Sequence, residues 1–213
     1  MPRILFVNPN SSQACSDGIA AAVAPFARAG PRLEVVTLTE GPPAIYSWRD
    51  WHQVVEPLCR LSAREPARVL VIACASDPGI EAVRATVGHP VLGVFRCAAA
   101  AAVARAERFG VIALVDASRP RHLLALRAIG LERQLAGEVA LNVTMDALLD
   151  PATALGALIA AGETLVQAGA QTVVLGCTGM AHHREAVEAA IGVPVIDPCQ
   201  AAAAQALAIV MSG

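Results

Sequence analysis

Aromatic residues make up only 3% of this 213-residue chain, against 55% apolar residues in all. A core so poor in rings must be filled by Ala, Val, Leu and Ile, the usual packing material of layered α/β proteins. Charge of one sign is also scarce: the formal net charge is -2, the pI is near 6.2, and no basic run occurs. That balance argues against nucleic acid or an anionic membrane surface as the main partner. Long hydrophobic runs are missing too, despite a mean hydropathy of +0.54. The best stretch, Pro90 to Ala104, is interrupted by Arg96 and followed by Arg105, Glu107 and Arg108. It falls short of the ~20 nearly uncharged residues that a membrane span needs. The run Ile4-Leu5-Phe6-Val7 ends at Asn8-Pro9-Asn10, too soon for the core of a secretory signal. The expectation is a cytoplasmic protein whose partner is a small molecule, with no role for membrane or nucleic acid.

No C-x-x-C pair exists among Cys15, Cys59, Cys74, Cys97, Cys177 and Cys199, which argues against a zinc ribbon. With no export signal, and with ample apolar content, the six are read as free thiols. No metal site and no cofactor are expected.

What the chain does have is alternation. Short apolar runs fit strands near Ile4-Val7, Leu33-Leu38, Val69-Ala73 and Val91-Val94, then near Val111-Val115, Val139-Val143, Thr172-Gly176 and Val193-Ile196. Ala-rich helical stretches fill the gaps, the pattern of βαβ units and a parallel sheet. One helix starts after Asn10 and stops near Gly30. Another starts at Asp150-Pro151, which reads as an Asp N-cap with Pro at the first helical position.

The two halves also repeat each other. Ala67 to Cys74 (ARVLVIAC) matches Ala170 to Cys177 (AQTVVLGC): a buried strand, a small residue, then a cysteine. Downstream, His89-Pro90-Val91-Leu92 parallels Val193-Pro194-Val195-Ile196, and each leads into alanines. Two matches at nearly one offset indicate an internal duplication. Two α/β lobes of roughly 105 residues follow, within the usual domain range. We place them at 1–97 and 98–198, with a helical join and with a final helix, 199–213, that can pack back on the first lobe. Parallel sheets carry their sites at the carboxyl ends of strands. Facing lobes would put Cys74 and Cys177 on either side of a central cleft.

A thiol works as acid or base only when a useful fraction is thiolate, and helix N-termini and nearby positive charge favour that form. Both cysteines sit between a strand and a helix start, where backbone N–H groups lack partners. Ala75-Ser76 follows the first and Thr178-Gly179 the second, all small enough for a ligand to approach the backbone. Inverting a stereocentre needs a base on one face of a carbon and a proton donor on the other. Two like groups from duplicated lobes supply that pair. The enolate formed in between needs preorganised donors, which the loop Asn8-Pro9-Asn10-Ser11-Ser12 can offer, with Asp116-Ala117-Ser118 as its counterpart. The same loop also reads as a plain turn and N-cap.

Other residues have blander readings. Cys97 and Cys199 form a competing pair beside alanine runs that look like packing surfaces. Cys15 and Cys59 fall in helices, as core. His182-His183 reads as a solvent-exposed helix start rather than a site, and Asp77 and Asp197 as caps rather than metal ligands, while Trp48 and Trp51 with Tyr46 read as a loop that either lines the mouth of a pocket or packs against a helix. Arg96 either meets a substrate carboxylate or makes a salt bridge at a helix start.

Asn8 to Ser12, Cys74 to Gly79 (CASDPG), Arg108 to Val111 (RFGV) and Leu175 to Met180 (LGCTGM) occur here in an order that resembles the aspartate/glutamate/hydantoin racemase superfamily, in its hydantoin racemase branch. The resemblance covers nearly the whole chain. It implies two pseudo-symmetric Rossmann-like lobes, each with a four-stranded parallel sheet flanked by helices and with the active site in the inter-lobe cleft. It also implies catalysis by Cys74 and Cys177 without pyridoxal phosphate, in an oligomer of identical chains. Two departures stand out: Ala75-Ser76 replaces a bulkier Phe-Gly, and Arg96 stands in a stretch where relatives often carry Glu. The expected activity is racemisation of a 5-substituted hydantoin or an allantoin-like ureide. Expected substrate contacts are Asn10, Ser11, Ser12, Ala75, Ser76, Thr178, Gly179 and Arg96. The alternatives are an amino-acid or other carboxylate racemase or isomerase, with Arg96 on the carboxylate, and a non-catalytic small-molecule binder.

Overall fold

The computed structural model describes residues 1–149 and 151–212. The first half runs β1 (Arg3–Asn8), α1 (Gln13–Val23), β2 (Arg32–Thr37), α2 (Trp48–Gln53), α3 (Val55–Arg64), β3 (Val69–Ile72), α4 (Ile80–Thr86), β4 (Val91–Gly93) and α5 (Val94–Val103). The second runs β5 (Phe109–Ala113), α6 (Arg119–Ala128), β6 (Leu135–Ala140), α7 (Met145–Leu149), α8 (Pro151–Gln167), β7 (Thr172–Gly176), α9 (Arg184–Ile191), β8 (Val195–Ile196) and α10 (Pro198–Ser212). The N-cap role expected of Asp150 lies outside the described residues.

Each half builds a four-stranded sheet, ordered β2-β1-β3-β4 and β6-β5-β7-β8, with every neighbouring pair parallel. The identical order is the duplication seen in the sequence. Both sheets are covered on both faces, so their central strands alternate between two cores. Ile4, Phe6, Val69 and Val71 face α1 and α10, while Leu5, Val7, Leu70 and Ile72 face α3 and α4. In the second sheet Phe109, Val111 and Val174 face α5 and α6, and Ile112, Val173 and Leu175 face α8 and α9.

The helices that follow β4 and β8 are traded between the lobes. Phe95, Ala98, Ala99 and Ala102 of α5 pack on the second sheet, whereas Cys199, Ala202, Ala203 and Ala206 of α10 pack on the first. Alanine suits both faces of such a helix because it lets the backbones come close. The expected boundary between Cys97 and Ala98 lies inside α5. Among the described residues no helix is long and apolar enough to cross a membrane.

Three local expectations need correction. The strand expected at Val139-Val143 begins earlier, at Leu135, and stops at Ala140. Asn142 takes a left-handed φ of 55° and its side chain bonds Asp116 instead, which ends the strand. Trp48 and Trp51 are not on a loop: Ser47 and Asp50 form a capping box that starts α2. His183 is not solvent-exposed. It is buried in the 3-10 turn Thr178–His183, while His182 alone faces outward.

Candidate active site

β1 and β3 lie side by side in the first sheet, and β5 and β7 in the second. The chain leaves these central strands in opposite directions, which opens a crevice at their carboxyl ends. Cys74 stands just past β3 and Cys177 just past β7. Both line one narrow cavity between the lobes, with Asn10, Ala75, Ser76, Ser118, Arg121, His122 and Thr178 on its walls. A small residue precedes each cysteine, Ala73 and Gly176, and at Gly176 the reason is steric. A Cβ on Gly176 would lie 2.6 Å from the Ile112 carbonyl oxygen, so a side chain there would drive β7 off β5.

The two thiols are held alike. Cys74 receives the backbone N–H of Ser76, and Cys177 that of Gly179, each two residues on. Cys74 has more help: its Sγ also lies 3.4 Å from the Ser76 hydroxyl, and the Arg121 guanidinium acts on it electrostatically. Burial raises both thiols above the ordinary range. At Cys177 it prevails, pushing the group up to about 12, with the neighbouring Cys74 and Cys15 adding to the rise. At Cys74 burial also raises the thiol, but two hydrogen bonds and a cation oppose it. Cys74 thus has three groups that favour its thiolate, whereas Cys177 has one and keeps its proton more firmly.

The loop after β1 is both turn and wall. Asn8 is fully buried and donates through Nδ2 to Asn10 Oδ1, the Ser12 carbonyl and Ser16 Oγ. Asn10 Oδ1 also accepts from Ser12 N–H at 2.9 Å. With Oδ1 so occupied, the Nδ2 donors of Asn10 remain for the cavity. Ser12 caps α1 by accepting from Cys15 N–H, and the Ser11 N–H is spent on Pro42. Neither serine lines the cysteine cavity. Ser118 does reach it, but Asp116 turns away to Asn142.

Arg96 is not in this cavity either. Its guanidinium bonds Glu81 and lies 3.7 Å from Asp77 through Nε, in a separate pocket behind Ser76. Asp77 does cap a helix, though not its own: its carboxylate accepts from the N–H groups of Phe95 and Arg96, at the start of α5. Burial pushes it up to about 6 despite those bonds. Gly179 lines a larger cavity beside α1 rather than the cysteine cavity, and meets the thiols only through its N–H to Cys177. Ala75, Ser76, Thr178 and Asn10 are thus the expected contacts that join both cysteines. Cys97 and Cys199 are buried together in the first core.

Sequence reading missed Arg121, His122 and Glu138, and it left Tyr46 between lining a pocket mouth and packing against a helix. His122 Nδ1 lies 3.1 Å from Glu138 Oε1, and both side chains are almost wholly buried. The His122 ring stacks on Phe95 at 4.4 Å between centroids. A strap between β2 and α2 crosses the cleft: Tyr46 OH accepts from Met145 N–H at 2.8 Å, and its carbonyl accepts from Arg121. Trp51 Nε1 then ties α2 to the Ser76 carbonyl. The run Arg119-Pro120-Arg121-His122 at a helix start was the available signal. Among the described residues no three His, Cys, Asp or Glu side chains gather as a metal site would need.

A family model described as Asp/Glu/hydantoin racemase matches residues 4–206. A hydantoin racemase of Paenarthrobacter aurescens is 33% identical over 99% of this chain and 92% of its own length. Among solved structures, an allantoin racemase from Klebsiella pneumoniae superposes with a TM-score of 0.92 at 26% identity, covering 100% of this chain and 89% of that one. An allantoin racemase from Pseudomonas fluorescens gives 0.90 at 26% identity, covering 99% and 92%.

Proposed function

We propose that this chain, which belongs to the Asp/Glu/hydantoin racemase family and is an isomerase of the racemase type, inverts one carbon of a 5-substituted hydantoin or an allantoin-like ureide with Cys74 and Cys177. The observation that carries the reading is the shared cavity: two thiols from equivalent strand ends face one space. The Cys74 thiolate takes the proton from the ring carbon. The C–H electrons move onto the adjacent carbonyl oxygen, and an enolate results. The Cys177 thiol gives its proton to the opposite face and is left as thiolate. Each turnover exchanges the protonation states of the two sulfurs, and solvent or the reverse reaction restores them.

Two facts support a neutral ring over a free amino acid. Hydantoin and allantoin are named for the relatives above. Arg96, the residue that favoured a carboxylate, is engaged by Asp77 and Glu81 outside the cavity. Pyridoxal chemistry lacks its anchor, since the sequence contains no lysine to form the Schiff base.

The test is incubation with single enantiomers of a 5-substituted hydantoin, allantoin, aspartate and glutamate in deuterated water. Loss of optical rotation with uptake of one deuterium at the stereocentre is expected for the ring compounds. Exchange on the free amino acids alone would replace this reading with carboxylate racemisation. No exchange on any of them would remove it.

A further inference from the structure

Arg121 lines the cysteine cavity and also the pocket behind Ser76. The side chain is buried, with the residue only 2% exposed, at the start of α6. Its Nη1 donates to the Ala117 carbonyl at 2.8 Å, and Nη2 to the Tyr46 carbonyl and Ser118 Oγ at 3.3 Å each. The Nε–H is buried and has no partner among the described residues. No carboxylate among them pairs with the guanidinium; Asp50 and Glu138 act on it only through space. The Trp48 ring lies 5.9 Å from its central carbon. A buried cation without a paired anion is costly. That cost falls when negative charge appears beside it.

The geometry of the fork narrows what that charge can be. A carboxylate is held best by two parallel N–H groups along one edge of a guanidinium. Both Nη2 protons are occupied by Tyr46 and Ser118, and one Nη1 proton by Ala117. Two donors remain, the Nε–H and one Nη1 proton, and they do not share an edge, so no edge offers a parallel pair. A single donor suits a single oxygen.

We infer that Arg121 is the oxyanion-binding residue of this site: its Nε–H meets the one oxygen on which charge develops as the ring carbon loses its proton. The assignment rests on the racemase reading above and deepens it. The substrate it selects is a neutral carbonyl compound that becomes anionic only in the transition state, not a free carboxylate. The same guanidinium favours the Cys74 thiolate, so a single cation serves the base before proton transfer and the enolate after it.

Arg121→Ala tests this, with folding checked by circular dichroism and thermal melting. With a 5-substituted hydantoin, kcat should fall about 10²-fold, the usual cost of one lost oxyanion donor, while KM stays nearly constant. Free guanidinium should restore part of kcat, and methylammonium, which lacks the planar donor, should restore less. If the alanine variant melts below the assay temperature, Arg121→Lys takes its place and should also lose kcat rather than KM, because a point charge lacks the Nε–H. Undiminished kcat in a folded variant, or a loss confined to KM, overturns the role of Arg121 while leaving racemisation intact. A wild type that exchanges no proton on hydantoin or allantoin overturns the racemase reading, and the oxyanion role with it.

Discussion

The carboxyl group of Asp77 fills the space that a side chain at Gly93 would need: a Cβ built there lies 2.3 Å from Asp77 Cγ. From that position Asp77 accepts the N–H groups of Phe95 and Arg96 at 2.9 and 3.0 Å. At the equivalent point of the second lobe, Asp197 caps its own helix by accepting from Gln200 N–H at 2.7 Å. One cap is therefore delivered across the sheet and the other along the chain.

Asp77→Ala should destabilise the fold by about 1–2 kcal/mol, since it removes the cap and leaves two buried donors. At this chain length the melting temperature should fall by about 2–4 °C per kcal/mol. Gly93→Ala should cost a similar amount by the opposite route, because its methyl group displaces the Asp77 carboxyl. Thermal melts of both variants check the pair, and the double variant should lose less than the sum. Full additivity would show that the two positions do not share one space.

Replacing either Cys74 or Cys177 by Ser should lower racemisation by about 10²–10⁴-fold, the range of a lost general acid or base. Each direction of inversion uses both thiols, so neither variant should keep one direction. Cys97→Ser and Cys199→Ser are the controls. They should keep kcat and lose about 1–3 kcal/mol of stability from a buried hydroxyl without water. Steady-state polarimetry with denaturant titration separates the two classes.

Burial raises both thiols, Cys177 to about 12, so a thiolate acting as base is a minor species at neutral pH. The sign follows: activity climbs as pH rises toward the Cys74 pKa, by about tenfold per unit below it. Iodoacetamide alkylation of Cys74 should climb with the same profile and be blocked by bound ligand. Cys59, the other partly exposed cysteine, should react whether or not ligand is present. A rate independent of pH between 6 and 9 would contradict thiolate catalysis.

Tyr46→Phe removes the acceptor for Met145 N–H and frees the strap over the cleft. A loss of about 1 kcal/mol is expected, read as a rise in KM of up to about fivefold with kcat little changed. Titration of wild type and variant against one hydantoin measures it.

The strands and the two cysteines were legible because they depend on local patterns. Thr172 to Gly176 is uniformly apolar or small and became β7 without adjustment. Arg121 and Tyr46 could not be found that way: they are 75 residues apart, and only the crossing strap brings them together. The expected strand began only at Val139, one residue past Glu138, whose partner His122 lies on another element. Arg96 had two readings, a substrate carboxylate or a salt bridge at a helix start, and its pairing with Asp77 and Glu81 is the second. The sequence displays the reacting atoms, whereas the charges around them depend on pairings between distant segments.

The traded helices bear on how such a chain could have arisen. A single half, made alone, would send its closing helix outward and leave one face of its own sheet bare. Two copies clasped reciprocally would mend both defects at once, and would already bring two sulfurs to a common crevice. Fusion of the copies then frees each half to diverge, so that one thiol can settle beside an arginine while its twin sits without one.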